Sequence, residues 1–368
     1  MPSWNVNTRY GTMWTEIDVY FDGTNISQSM HPFLTALQYT DFEEDQADDV
    51  QLTLHDASGI WVHSWLNDVI QDAAGGTTKG LAMLVHIWMG TTSGGRYHLH
   101  CGDFELDTIQ ASGPPGTVKI KGTALPWGVG IRTVERSKSW EKYKLSEIAG
   151  EMASRAGLDL FYDAPSDPFY DRVEQSAQTD IAFLEQLCHD NGLSLKCVCS
   201  RIVIFDQLAY ESKAAYTTIG WQDGSYTKYS MSTQDGETHY AKCEVSYYDP
   251  DTKKTYKGEC KAEDYDKLEE ASKKEGGEEM NVLTITDRRV TSDDDAKNLA
   301  THLLRLYNKY EKVVELTMVG DPLLGSGLTV YLQGFGTWDG KYMITQATHN
   351  ISQSGYTTKI KLRNILGY

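Results

Sequence analysis

The spacing of apolar residues changes period several times along the chain. "EIDVYFDG" sets Ile17, Val19 and Tyr20–Phe21 ahead of an Asp-Gly turn, and "DVQLTLHD" places Val50, Leu52 and Leu54 on one face. A repeat of two marks half-buried strands. "GLAMLVHIWMG" is a nearly continuous apolar run of strand length, so residues up to about 124 read as an antiparallel barrel or sandwich. The period then becomes helical. "KLSEIAGEMASRAG" aligns Leu145, Ile148, Ala149, Met152 and Ala156 and stops at Gly157; "TDIAFLEQLCHDNG" aligns Ile181, Leu184, Leu187 and Cys188 and stops at Gly192. Short strands follow each helix, "LDLFYD" and then "LSLKCVCSRIVIFD", which predicts a small α/β domain at 134–206 inserted in a β framework.

Strands resume at Tyr216 with "YTKYSMS" and "YAKCEVSYYD". A charged insertion at 250–280 has only a thin apolar stripe and is expected to be a solvated helix or mobile loop. "SDDDAKNLATHLLRLYNKY" predicts a helix over 293–311, with Ser292 and Asp295 as a capping box and Leu299, Leu303 and Tyr307 facing the core. "VVELTMVG", "GLTVYLQG", "KYMITQAT" and "TTKIKLRNIL" are the closing strands.

One pattern occurs twice. "GDFELDTIQASGPPGTVKIKGTA" is echoed by "GKYMITQATHNISQSGYTTKIKLRNI". Gly102 matches Gly340, Phe104 matches Tyr342, Leu106 matches Ile344, and Lys119–Ile120–Lys121 matches Lys359–Ile360–Lys361. The second copy is two residues longer, and the spacing assigns them to its turn. A further strand precedes each hairpin in the same order. The reading is mainly β with an α+β insertion: two related β domains, 1–133 (completed by 207–235) and 236–368, around the inserted domain.

Composition narrows the partners. A chain of 368 residues predicts two or three domains, and 40% hydrophobic with 11% aromatic residues suits a folded protein. No apolar run is long enough to cross a bilayer, and the N-terminus lacks a signal-peptide core, so cytoplasmic synthesis without membrane insertion is expected. Six cysteines are sparse for this length and read as reduced thiols. A net charge of −18 argues against binding a phosphate backbone by counterion release.

Candidate chemistry is thin. "TDFEEDQADDV" offers Asp41, Glu43, Glu44, Asp45, Asp48 and Asp49, but it lacks the turn glycine of a calcium loop and reads as an acidic, solvated β-turn. "DPDTKKTYKGE" starts with Asp249 and Asp251, then puts Lys253 where a third calcium ligand would stand. His98 and His100 of "HLHC" share a strand face beside Cys101 and could seed a metal site, yet no second ligand pair has a recognisable spacing. Cys197 and Cys199 read as buried small hydrophobes. There is no nucleophile elbow, phosphate loop or His-Glu-x-x-His helix. The expectation is no catalytic residue, no cofactor and no metal.

The order of these segments resembles the phage late-control D family, the central baseplate hub of phage tails and contractile injection machines, and the N-terminal half of type VI secretion spike proteins. The likeness is carried by "VYFDGTNIS", "ADDVQLTLHDASGIW", the two hairpins, "SWEKYKLSEIAGEMASRAGL" and "QSAQTDIAFLEQLCHDNGLSLK". It implies two antiparallel β-barrel tube domains per chain and a homotrimer whose six similar units form a ring. That ring would be an adapter between a sixfold tail tube and a threefold central spike protein. Tail tube, tape measure and other baseplate proteins would be its neighbours in the virion tail, with DNA only in transit through an acidic or neutral bore. The chain stops just after the second hairpin, so the spike and any cell-wall hydrolase are expected to be separate proteins. The competing reading is a carbohydrate-active or carbohydrate-binding β protein using paired carboxylates or the nine Trp.

Overall fold

The computed structural model describes residues 13–61, 63, 82–91, 94–124, 130–198, 200–233, 239–250, 252–274 and 280–368. The first strands are Met13–Phe21 (β1), Thr24–Asn25 (β2), Leu34–Phe42 (β3), Asp49–His55 (β4), Ala82–Thr91 (β5), Arg96–Ser112 (β6) and Thr117–Thr123 (β7). Glu135–Lys144 (β8), Asp159–Asp163 (β9), Phe169–Thr179 (β10), Leu193–Val198 (β11) and Arg201–Asp206 (β12) follow. Next come Thr217–Gly220 (β13), Tyr226–Thr233 (β14), Lys242–Asp249 (β15), Lys254–Lys261 (β16) and Val282–Ile285 (β17). Lys312–Val319 (β18), Thr329–Gln333 (β19), Gly340–Ser352 (β20) and Gly355–Asn364 (β21) close the chain. The helices are Ser27–Met30 (α1), Leu145–Arg155 (α2), Asp180–Asp190 (α3), Gln207–Ser212 (α4), Tyr265–Ser272 (α5) and Asp293–Asn308 (α6).

One large sheet runs in the order β14-β18-β21-β20-β3-β4-β7-β6-β5-β1-β2, with β19 pairing both β13 and β20. It contains two antiparallel meanders of one design. In the first, β4 pairs β7, β7 pairs β6 and β6 pairs β5; in the second, β18 pairs β21, β21 pairs β20 and β20 pairs β19. β3 flanks β4 as β14 flanks β18.

Four hydrophobic cores result. Val19, Val50, Leu52, Leu54, Phe104 and Ile120 belong to the first meander, and Val314, Leu316, Leu332, Tyr342, Ile344 and Ile360 to the second. A third core gathers Trp140, Leu145, Ile148, Met152, Phe183, Leu184 and Ile204 under α2 and α3. These helices form where the apolar spacing requires. Glu147 Oε2 accepts from the backbone N–H of Lys144 at 2.8 Å, and Thr179 Oγ1 accepts from that of Ala182 at 3.3 Å, so donors at each N-terminus are satisfied. Gly157 at φ +67° and Gly192 at φ +69° take the left-handed conformation beyond each helix, which costs a residue without Cβ little.

The fourth core lies outside the sequence expectation. Cys243, Val245, Ala296, Leu299, Ala300, Leu303 and Leu304 pack α6 against the sheet β16-β15-β17, so a second small α/β unit sits between β14 and β18. The charged insertion contributes the strand β16 to this unit, paired with β15, and then forms the helix α5. Ser292 Oγ caps α6 by accepting from the backbone N–H of Asp295 at 3.0 Å. Tyr307, expected inward, is 48% exposed and packs edge-on against Tyr240.

Within the span 207–235, β13 pairs β19 and β14 pairs β18, so both strands join the second meander. The two extra residues of the second hairpin lie in its ladder rather than its turn. The first hairpin closes from Ser112 to Thr117, whereas the second closes from Ser352 to Gly355 across a shorter loop. Cys199, Asp251 and the first twelve residues lie outside the described residues.

Candidate functional site

The connection between β3 and β4 is the acidic stretch that the sequence places in solvent. The structure buries most of it: Asp41, Glu43, Glu44 and Asp48 are each no more than 9% exposed. An unpaired buried carboxylate costs roughly several kcal/mol, so every one of them needs partners. They come from the second meander and from both insertions. Arg363 on β21 grips Glu43, its Nη2 donating to Oε1 at 3.0 Å and its Nε reaching Oε2 at 3.4 Å. Arg363 Nη1 donates to Glu211 Oε1 on α4 at 2.7 Å, and Arg305 Nη2 on α6 donates to Glu211 Oε2 at 2.6 Å. Arg305 also donates to the Leu366 carbonyl at 3.1 Å. The result is a buried chain, Glu43–Arg363–Glu211–Arg305, from the first meander towards the C-terminus.

Glu44 makes a second chain. Lys309, just past α6, pairs with Glu44 Oε1, while Ser194 Oγ and Gln207 Nε2 donate to Oε2 at 2.6 and 2.7 Å. Burial opposes ionisation of Glu44, but Lys309 and these donors outweigh it and hold its pKa at about 2. Asp41 pairs with Lys196 of β11 and accepts from the backbone N–H and the hydroxyl of Ser326 at 2.7 and 2.8 Å. Asp48 accepts from the Phe42 backbone N–H at 2.9 Å and shares Lys196 at 3.4 Å. Burial is the larger influence on Asp48; it outweighs Lys196, Asp41 repels a second charge beside it, and the pKa rises to about 7. Of the six carboxylates only Asp45 is exposed, and His189 of α3 reaches it at 3.1 Å. Asp49 is half-buried and pairs with Lys121 at 3.0 Å.

Backbone contacts lock the same turn. The N–H of Glu43 donates to the carbonyl of Thr345 at 2.9 Å, and that of Asp45 to the carbonyl of Leu195 at 3.2 Å. Thr345 is the bulged residue of β20, where the register slips between Ile344 and Gln346. The corresponding slip in β6 falls between Leu106 and Thr108, at Asp107. Counted back from these bulges, Gly102 and Gly340 hold one position and both have positive φ, +120° and +145°. Phe104 and Tyr342 are each 2% exposed, and Ile344 is fully buried while Leu106 is half-buried. The six marker residues thus occupy matching places in the two hairpins. Among the described residues no such turn meets Asp107, which lies beside an open cleft of about 470 Å³ that Asp49, Lys121, Arg132 and Glu185 also line.

The remaining candidates are separate. Cys101, Cys188, Cys197 and Cys243 are buried thiols, and burial pushes the Cys197 pKa up to about 12. Asp249 closes the β15–β16 turn by accepting from the Thr252 hydroxyl at 2.7 Å. His98 and His100 face solvent while Cys101 faces the core, so "HLHC" is not one ligand set. The groups Lys196, Glu211, Arg305, Lys309 and Arg363 carry no signal in the sequence. Each stands in or beside an ordinary strand or helix, as many as 320 residues from the side chain it meets.

Among the described residues no helix is long and apolar enough to cross a membrane. No family model matches the chain. It is 22% identical to the probable baseplate hub protein of Escherichia phage 186 over 371 residues, covering 92% of this chain and 94% of that protein. Its fold matches the 43 kDa tail protein of prophage MuSo2 from Shewanella oneidensis with a TM-score of 0.67 at 15% identity, covering 95% of this chain and 98% of that one. It also matches a chain of the lidded Francisella PdpA-VgrG complex with a TM-score of 0.56 at 11% identity, covering all of this chain and 55% of that one. The chain therefore has the mainly β fold of phage tail proteins, and along nearly its whole length it is similar to a phage baseplate hub protein.

Proposed function

We propose that this chain is a structural baseplate hub that works as a homotrimer, a ring of six similar β units between a sixfold tail tube and a threefold central spike. The carrying observation is one contact inside the chain. The outer half of β20, residues 346–352, pairs antiparallel with β3 of the first meander. Among the described residues, the matching half of β6, residues 108–112, is paired only on its β7 side, and β14, the counterpart of β3, is paired only with β18. A chain therefore contains one filled junction and, at its two ends, the two halves of an unfilled copy. Rotation by one third of a turn brings β14 of one copy against β6 of the next. A heterologous contact of this kind closes into a cyclic ring.

The internal junction also gives the expected register. His349 faces Tyr39 in β20–β3; the matching residues are Ala111 and Met231. The units are 13–124 with the insertion 134–206, and 217–368 with the second insertion around α6. Three such pairs give six barrel-like units around a bore, through which DNA passes without a basic wall to hold it. Spike, tube, tape measure and further baseplate proteins are the partners this role requires, in a virion tail assembled in the host cytoplasm.

Light scattering of the chain, alone and with its spike, tests the trimer; a monomer in both conditions refutes it. Ala111→Cys with Met231→Cys tests the closure. Oxidation is expected to give covalent dimers and trimers on a non-reducing gel, and each single variant none. A trimer by scattering without cross-linking means that the ring closes through other strands.

A further inference from the structure

The open face of the first meander carries a group that the hub role does not use. His98 and His100 stand two apart on β6, and the partner that their spacing lacks comes from β5, where His86 lies directly opposite His100. Successive side chains of a strand alternate faces, so all three imidazoles share one side of the sheet. His98 Nε2 lies 2.9 Å from His86 Nδ1, and the His86 ring centroid is 4.9 Å from that of His98 and 4.8 Å from that of His100. The centroids of His98 and His100 are 6.5 Å apart, so the three rings do not yet converge on one point, and closing the set requires His100 to change rotamer. The opposite face of these strands is core, with Val85, Ile87 and Cys101 buried. The backbone beneath the three rings is accordingly fixed.

Neighbours orient the rings. Trp88 stacks on His98 at 3.8 Å, and its indole N–H donates to Asp18 Oδ2 at 2.8 Å, placing a carboxylate behind the cluster. Arg96 is held aside, over the Trp88 ring at 4.3 Å and beside Glu16 at 3.5 Å.

We propose that His86, His98 and His100 bind a borderline divalent transition metal, Zn²⁺ in particular, through three imidazole nitrogens with water in the fourth position. Three neutral nitrogens with an open place are a known zinc donor set; tetrahedral zinc–nitrogen bonds of about 2.0–2.1 Å set two nitrogens about 3.3 Å apart, so those of His86 and His98 need separate by only a few tenths of an ångström. The site would clamp β5 to β6 on the solvent side, beside the Trp88–His98 stack.

The test uses the untagged full-length chain, freed of metal by a chelator and titrated with Zn²⁺ by calorimetry. One equivalent per chain is expected. His86→Ala, His98→Ala and His100→Ala should each weaken binding at least roughly tenfold, and the triple variant should abolish it. Circular dichroism checks that the variants fold. Co²⁺ gives a second readout: the intense visible absorption of a four-coordinate site, absent from the triple variant. Either of two results overturns the proposal. One is no saturable Zn²⁺ binding, which leaves the 2.9 Å contact as a hydrogen bond between neutral imidazoles. The other is binding that survives the triple variant and is lost in His189→Ala, which assigns the ion to the Glu44–Asp45–His189 group instead.

Discussion

The two meanders share strand order, bulge position and a positive-φ glycine, yet they are used differently. The second is buried on both faces along much of β20, and its bulged Thr345 receives the acidic turn of the first. The first is exposed along the outer half of β6, and its bulged Asp107 opens on a cleft. The same contrast appears one strand away. Arg363 on β21 is 1% exposed and holds two carboxylates, whereas Thr123, its counterpart on β7, lines the cleft. Backbone design is therefore repeated, while the side chains that read it differ according to whether the contact lies within the chain or is left at its end.

The sharpest way to break this asymmetry is Arg363→Met. It strands Glu43 in the interior, leaves Glu211 to Arg305 alone, and should cost about 3–5 kcal/mol by urea unfolding, while Thr123→Val should change stability by less than about 1 kcal/mol. Equal losses from both would show that the junction is not the distinguishing feature.

Asp48 gives the next effect, and its sign is fixed by its raised pKa. The folded chain favours the protonated form, so this group's stabilisation is complete below the unfolded carboxyl pKa and is lost as pH rises towards 7. Asp48→Asn mimics the protonated state. Relative to that variant, the wild type should lose on the order of 3 kcal/mol between pH 4 and pH 8. A difference that stays flat across this range would mean that Lys196 keeps Asp48 ionised throughout.

Gly102→Ala and Gly340→Ala probe what the meanders share. No atom lies within 4 Å of an added Cβ at Gly340, so backbone strain alone should set its cost, about 1–2 kcal/mol. Gly102→Ala should match it in thermal unfolding, and a much larger loss at only one site would separate the two hairpins. The smallest effect is expected at Lys359→Met, on the same strand as Arg363. Its pair with Glu315, at 2.7 Å, is 47% and 37% exposed, and its removal should cost less than about 1 kcal/mol.

Local chemistry was legible in the chain's own pattern. Apolar periods located the strands of both meanders and the helices α2, α3 and α6, because each element hides one face whatever lies beyond it. Glycines marked the helix ends and the hairpin repeat, because the backbone conformation they allow is set within a few residues. Tertiary structure alone decided where the charges go. Glu43 and Glu44 look like any solvated acidic turn, and nothing within reach along the chain distinguishes them. They are buried because β3 runs beside β20, which brings Arg363, Lys309 and Ser194 to them from 150 to 320 residues away. The fate of residues 217–233 was hidden for the same reason. Strand pairing is a contact between distant segments, and the period of a strand says which face it buries but not which neighbour it joins.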